Sequence, residues 1–71
     1  MSTDVTAPMP GAISQILVKV GDPVKYEDEL MILEALKMEN PIYAPADGKV
    51  VEIRVAPGAK VEANQVLLVI E

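Results

Sequence analysis

Hydrophobic and polar positions along this chain fall into short runs that recur. Displacing the sequence by 37 positions aligns Ala7–Glu34 with Ala44–Glu71 without a gap. Nine of the 28 pairs are identical: Ala7/Ala44, Pro8/Pro45, Gly11/Gly48, Ile16/Ile53, Val18/Val55, Gly21/Gly58, Val24/Val61, Leu30/Leu67 and Glu34/Glu71. Others are conservative, such as Ile13/Val50, Ile32/Val69 and Leu33/Ile70. Because glycines and prolines coincide along with the apolar positions, the copies share turns and not merely composition.

Each copy reads as short strands between turn signals. The first run, Ile13–Val20 or Val50–Val55, places Ile16/Val18 and Ile53/Val55 on one parity, with Gln15, Lys19, Glu52 and Arg54 on the other. That is the period-two pattern of a half-buried strand. Next comes a turn at Gly21-Asp22-Pro23 or Pro57-Gly58-Ala59, then a short strand about Val24 or Val61. Glycine at 21 and 58 suits a backbone conformation that residues with a Cβ resist. After a polar stretch come Leu30–Leu33 and Val66–Ile70. The repeat predicts a core of Ile16, Val18, Val24, Leu30 and Ile32 with their partners Ile53, Val55, Val61, Leu67 and Val69.

Propensity alone would make Glu27–Glu39 a helix, since Leu, Met, Glu, Ala and Lys dominate it. Its repeat partner Val66–Ile70 has the β-branched content of a strand, and Pro41 stops a helix soon afterwards. The prediction is therefore a strand over Leu30–Glu34. Two related β units can bury a shared aliphatic face by packing sheet on sheet. The expected fold is all-β: a small antiparallel sandwich or flattened barrel with approximate two-fold symmetry, filling residues 1–71 as one domain with halves 7–34 and 44–71.

Composition narrows the function. A chain of 71 residues is near the lower limit for a self-sufficient core, and without cysteine it has no disulfide staple. Absence of both His and Cys excludes a zinc site built from them and any Ser-His or Cys-His pair. Eleven acidic against six basic residues argue against nucleic acid. The apolar runs are short and broken by charges, so no membrane insertion is expected. Met1-Ser2-Thr3-Asp4 lacks the features of a signal peptide, and a cytoplasmic location is the expectation. No catalytic or metal-ligating residue is predicted, and the chain is not expected to be an enzyme by itself.

The junction between the copies breaks local rules. If Leu36-Lys37 is the two-residue loop of a hairpin, Ala35 pairs with Met38 and Glu34 with Glu39, and Leu30–Leu33 runs against Asn40–Tyr43. Such loops favour Asn-Gly because their central positions need positive φ, so Leu-Lys is a poor choice. Glu34 opposite Glu39 is a like-charge pair, which destabilises a hairpin. Rule-breaking in an otherwise consistent sequence marks a place where function is expected. From the residues alone, Lys37 is either an ordinary solvated lysine or such a site; Met38 is either core filling or part of it.

Glu34-Ala35-Leu36-Lys37-Met38-Glu39 resembles the biotin attachment motif of biotin carboxyl carrier domains, usually Glu-Ala-Met-Lys-Met. Ala7-Pro8-Met9-Pro10-Gly11, Val20-Gly21-Asp22-Pro23-Val24 and Ala44-Pro45-Ala46-Asp47-Gly48 resemble that family's flanking segments, so the likeness covers nearly the whole chain. It implies a barrel-sandwich of two four-stranded antiparallel sheets. Lys37 would sit on the hairpin turn and carry covalent biotin, flanked by Leu36 and Met38. Glu34 and Glu39 would serve recognition by a biotin protein ligase. It also implies that a biotin carboxylase loads the cofactor with CO2 and a carboxyltransferase or decarboxylase unloads it. Leu36 departs from the usual methionine. Two rivals remain: a lipoyl carrier of a 2-oxo acid dehydrogenase complex, which usually has Asp-Lys-Ala, and an unmodified adaptor module.

Overall fold

The computed structural model describes residues 2–71 and forms eight strands and no helix. In chain order these are β1 (Thr3–Thr6), β2 (Gly11–Ile16), β3 (Pro23–Val24), β4 (Glu29–Ala35), β5 (Met38–Tyr43), β6 (Gly48–Ile53), β7 (Lys60–Val61) and β8 (Val66–Ile70). They make two four-stranded sheets, ordered β1-β8-β6-β3 and β5-β4-β2-β7, with every pairing antiparallel. The body is elongated, 32 × 17 × 17 Å. A flattened antiparallel sandwich is therefore what forms, and Glu29–Ala35 is a strand against its helical propensity.

A displacement of 37 positions, forward or back, carries one sheet onto the other. Ile13↔Leu33 becomes Val50↔Ile70, Gly11↔Val61 becomes Gly48↔Val24, and Leu33↔Asn40 becomes Ile70↔Thr3. The symmetry reaches beyond the repeat legible in the sequence. Thr3–Thr6 is the mate of Asn40–Tyr43, although only Val5/Ile42 keeps its chemical character. Turns repeat too: Gly21 and Gly58 have φ of 99° and 89°, and Glu27 and Asn64 have φ of 71° and 69°. The expectation for the two glycines holds, because an L side chain rarely adopts such a conformation.

The core is aliphatic, and Ile13, Leu30, Met31, Leu33, Val50, Leu67, Leu68 and Ile70 are its largest fully buried side chains. Of the predicted core, Val24, Leu30, Val61, Leu67 and Val69 are buried, while Ile16, Val18, Ile53 and Val55 pack half-buried against it. Ile32 is only half-buried and lies outside the cluster, whereas Ile13 and Met31 belong to it. Bulges are the reason. The register of β2 against β4 slips between Ile13 and Gln15, and that of β4 against β5 slips between Glu29 and Met31. Each extra residue reverses the parity of the strand beyond it, so strict alternation picks the wrong side chains. The first strand of each copy also lies earlier than expected, starting at the glycine and ending at Ile16 or Ile53, and in the first copy it is shorter as well.

The glycines at 11 and 48 have a second task. A Cβ on Gly11 would meet the Glu34 carbonyl oxygen and lie 3.2 Å from the Ala35 Cβ. One on Gly48 would lie 2.5 Å from Ile70 Cγ2 and 2.7 Å from the Glu71 carbonyl oxygen. Both glycines thus let β2 and β6 close tightly over the ends of β4 and β8.

Candidate functional site

The β4–β5 hairpin closes through Leu36-Lys37 with the expected register at its tip: Ala35↔Met38, Glu34↔Glu39 and Leu33↔Asn40. Both loop residues have positive φ, 54° at Leu36 and 63° at Lys37. Positive φ at both central positions gives the twist that joins strands tightly, but asparagine and glycine usually supply it. A residue with a Cβ in this region costs about 1–2 kcal/mol. The flanking strands hold the strained turn in place. Leu33 and Ala35 on β4 and Ile42 on β5 are buried, so the hairpin's inner face is anchored in the core.

Large apolar side chains are exposed at several places, Val20 and Tyr26 among them, and most of all at the tip. Leu36 is 89% exposed and Met38 65%, so two apolar side chains flank Lys37 in water with no packing to explain them. Filling the core is thus not the role of Met38. Lys37 is exposed, and its amine has neither an ion-pair nor a hydrogen-bond partner among the described residues, whose one ion pair joins Arg54 to Glu52 at 3.0 Å. That pairing raises the Arg54 pKa above its ordinary value, chiefly through the hydrogen bond to Glu52. An unengaged primary amine on an exposed turn whose flanking strands are anchored in the core fits covalent attachment of a carboxylic-acid cofactor through an amide.

Glu34 and Glu39 are both exposed and directly opposed across the hairpin. Glu39 Oε2 accepts a long hydrogen bond, 3.3 Å, from Ser14 Oγ of β2, and Asn40 Nδ2 donates to the Met38 carbonyl at 3.3 Å. The five residues singled out in the sequence, Glu34, Leu36, Lys37, Met38 and Glu39, therefore share one exposed tip. What sequence reasoning did not place beside Lys37 is the surface next to it. An open notch of about 480 Å³ is lined by Pro10, Gly11, Ala12, Glu34, Ala35, Leu36, Lys37 and Lys60. Lys60 reaches it because β7 pairs with β2, setting Lys60 opposite Ala12, which in turn faces Glu34.

Two other features bear on what the chain can do. Among the described residues no group of three or more carboxylates could hold a metal ion, and no helix is long and apolar enough to cross a membrane. A second groove, lined by Asp4, Val5, Thr6, Pro8, Pro41, Ile42, Tyr43 and Pro45, runs between the edge strands β1 and β5, and its lining residues are related by the internal symmetry.

The family described as biotin-requiring enzyme matches residues 3–70. Among curated proteins, the biotin carboxyl carrier protein of Streptococcus mutans is 52% identical over 64 residues, covering 90% of this chain and 49% of its own length. The mitochondrial methylcrotonoyl-CoA carboxylase subunit alpha of Mus musculus is 42% identical over 65 residues, covering 92% of this chain and 9% of its own. The crystal structure of the Kluyveromyces lactis urea carboxylase superposes with a TM-score of 0.94 at 31% identity, covering the whole chain and 6% of that enzyme. The chain spans about half the length of the carrier protein and less than a tenth of either carboxylase.

Proposed function

The chain belongs to the biotin-requiring enzyme family, and from that premise we propose that residues 1–71 act as a biotin carboxyl carrier domain with biotin joined to Lys37 as an amide. The observation that carries this reading is the tip itself. A primary amine without a partner stands at the second position of a strained, anchored turn, between two apolar side chains left in water. That arrangement has no evident structural benefit. It displays one lysine and its neighbours to another protein.

Bound biotin supplies a ureido nitrogen that accepts and releases a carboxyl group, a chemistry no side chain offers in the same way. The protein's own work is presentation. The hairpin holds the Lys37 backbone fixed while its side chain stays free, so the arm sweeps a limited volume at high effective concentration. A biotin protein ligase recognises Leu36, Met38, Glu34 and Glu39 around the amine and supplies the base that deprotonates it for acyl transfer. The partners after loading are a biotin carboxylase and a carboxyltransferase or decarboxylase, as subunits or as domains of one polypeptide, and the setting is the cytoplasm. No residue of this chain performs bond-making chemistry once Lys37 is acylated.

Co-expression with a biotin ligase, then intact-mass measurement and streptavidin capture, tests the assignment. The native chain gains the mass of one biotinyl group, and Lys37→Arg gains none. A native chain that stays unmodified, or a Lys37→Arg variant still labelled, would refute it; a lipoyl-sized increase would favour the lipoyl carrier.

A further inference from the structure

We propose that the notch beside the hairpin is a resting dock for the ureido ring carried on Lys37, with Lys60 as the residue that positions it. This inference rests on the assignment of biotin to Lys37. Its walls carry opposite charges: Glu34 on one side and Lys60 on the other, with Gly11 and Ala12 between them. Two strand spacings separate Glu34 from Lys60, about 10 Å. A lysine side chain extended by a valeryl arm can fold back over that span. A ureido ring presents one carbonyl acceptor flanked by two N–H donors. An ammonium on one wall and a carboxylate on the other complement it, and a floor with almost no side chain leaves room for the ring.

The internal repeat provides a control for this reading. At the symmetry-related end the same backbone positions carry Pro23, Lys49 and Glu71 in place of Lys60, Ala12 and Glu34. There the central position bears a long side chain and the outer strand bears no charge. At the hairpin end the centre is cut back to alanine, and the cation stands one strand further out. The fold needs neither arrangement in particular, since both halves close with the same register. The choice of small centre and distant cation therefore goes with the end that holds Lys37.

Nitrogen-15-labelled protein, before and after ligase loading and with loading verified by intact mass, reads the dock through backbone amide resonances. Loading is expected to shift Gly11, Ala12 and Lys60 as well as the hairpin residues 35–39. Lys60→Gln and Ala12→Lys should remove the shifts at Gly11 and at position 12 while leaving the mass increase intact. Lys60→Arg, which keeps a cationic donor, should retain them. Unchanged resonances far from the notch check that each variant is folded. Shifts confined to residues 35–39, or shifts at Gly11 and Ala12 that survive Lys60→Gln, overturn the dock while the attachment stands. A chain that never gains the biotinyl mass overturns the attachment, and the dock with it.

Discussion

The two ends of this molecule are built from the same parts and finished differently. At one, β4 turns through Leu36-Lys37 into β5; at the other, β8 and β1 lie side by side in the equivalent register with no turn between them. Glu71 exchanges backbone hydrogen bonds with Lys49, N–H to O distances being 2.9 and 2.8 Å, in the place where Glu34 faces Ala12. The hairpin end bears two non-glycine residues at positive φ and two exposed apolar side chains. Asparagine and glycine give the same two-residue turn at less cost, so the strain at Leu36-Lys37 comes from the choice of residues and not from the architecture.

Matched substitutions in the two halves probe that comparison. The largest effect is expected in the core, where Leu33 and its mate Ile70 are both fully buried. Leu33→Ala and Ile70→Ala should each cost about 3 kcal/mol in urea unfolding; near-equal losses would show that the halves contribute alike. Gly11→Ala should cost about 2–3 kcal/mol, because the new Cβ meets a backbone carbonyl. Gly48→Ala should cost a similar amount, since its Cβ would meet the branch methyl of the fully buried Ile70 and the Glu71 backbone carbonyl. Equal costs would mean that both ends are held equally rigidly.

Smaller effects separate strain from function. Leu36→Asn should stabilise the domain by about 1–2 kcal/mol, because asparagine tolerates the left-handed region far better than leucine. A melting temperature that does not rise would show that the turn is already relaxed. The smallest effect concerns Glu27 and Asn64, which share one φ but not one side chain. Glu27→Asn should raise stability by about 1 kcal/mol and Asn64→Glu lower it by a similar amount. On a domain of this size each corresponds to a shift of about 4–8 °C in the melting temperature.

Much of the fold is legible in the chain because the repeat preserves its punctuation. Gly21 and Gly58, and Gly11 and Gly48, occupy equivalent places, and the partner of Leu30–Glu34 overrules a helical composition. Two things are hidden. The bulges leave no local mark, so strict alternation misses Ile13 and Met31 as core and wrongly includes Ile32. The mating of Thr3–Thr6 with Asn40–Tyr43 is hidden because edge strands bury few side chains, and Asp4/Pro41 and Thr6/Tyr43 are free to diverge. At the site, the exposed tip comes from the register of a two-residue loop. Lys60 does not, because its nearness to Lys37 depends on β7 pairing across β2, a contact between distant parts of the chain. Only the contrast of Ala12 with Lys49 hints at it.

Thr3 lies opposite Ile70, as Asn40 lies opposite Leu33. With a repeat of 37 positions, three residues inserted between Glu71 and Met1 would stand where Ala35-Leu36-Lys37 joins Glu34 to Met38. Joining this 71-residue sequence in that way and cutting between Leu36 and Lys37 gives a circular permutant designed to keep every strand pairing. In such a molecule the lysine would begin a chain instead of crowning a turn. Its capacity to be loaded would then report how much a ligase reads from the bend itself and how much from the side chains along it.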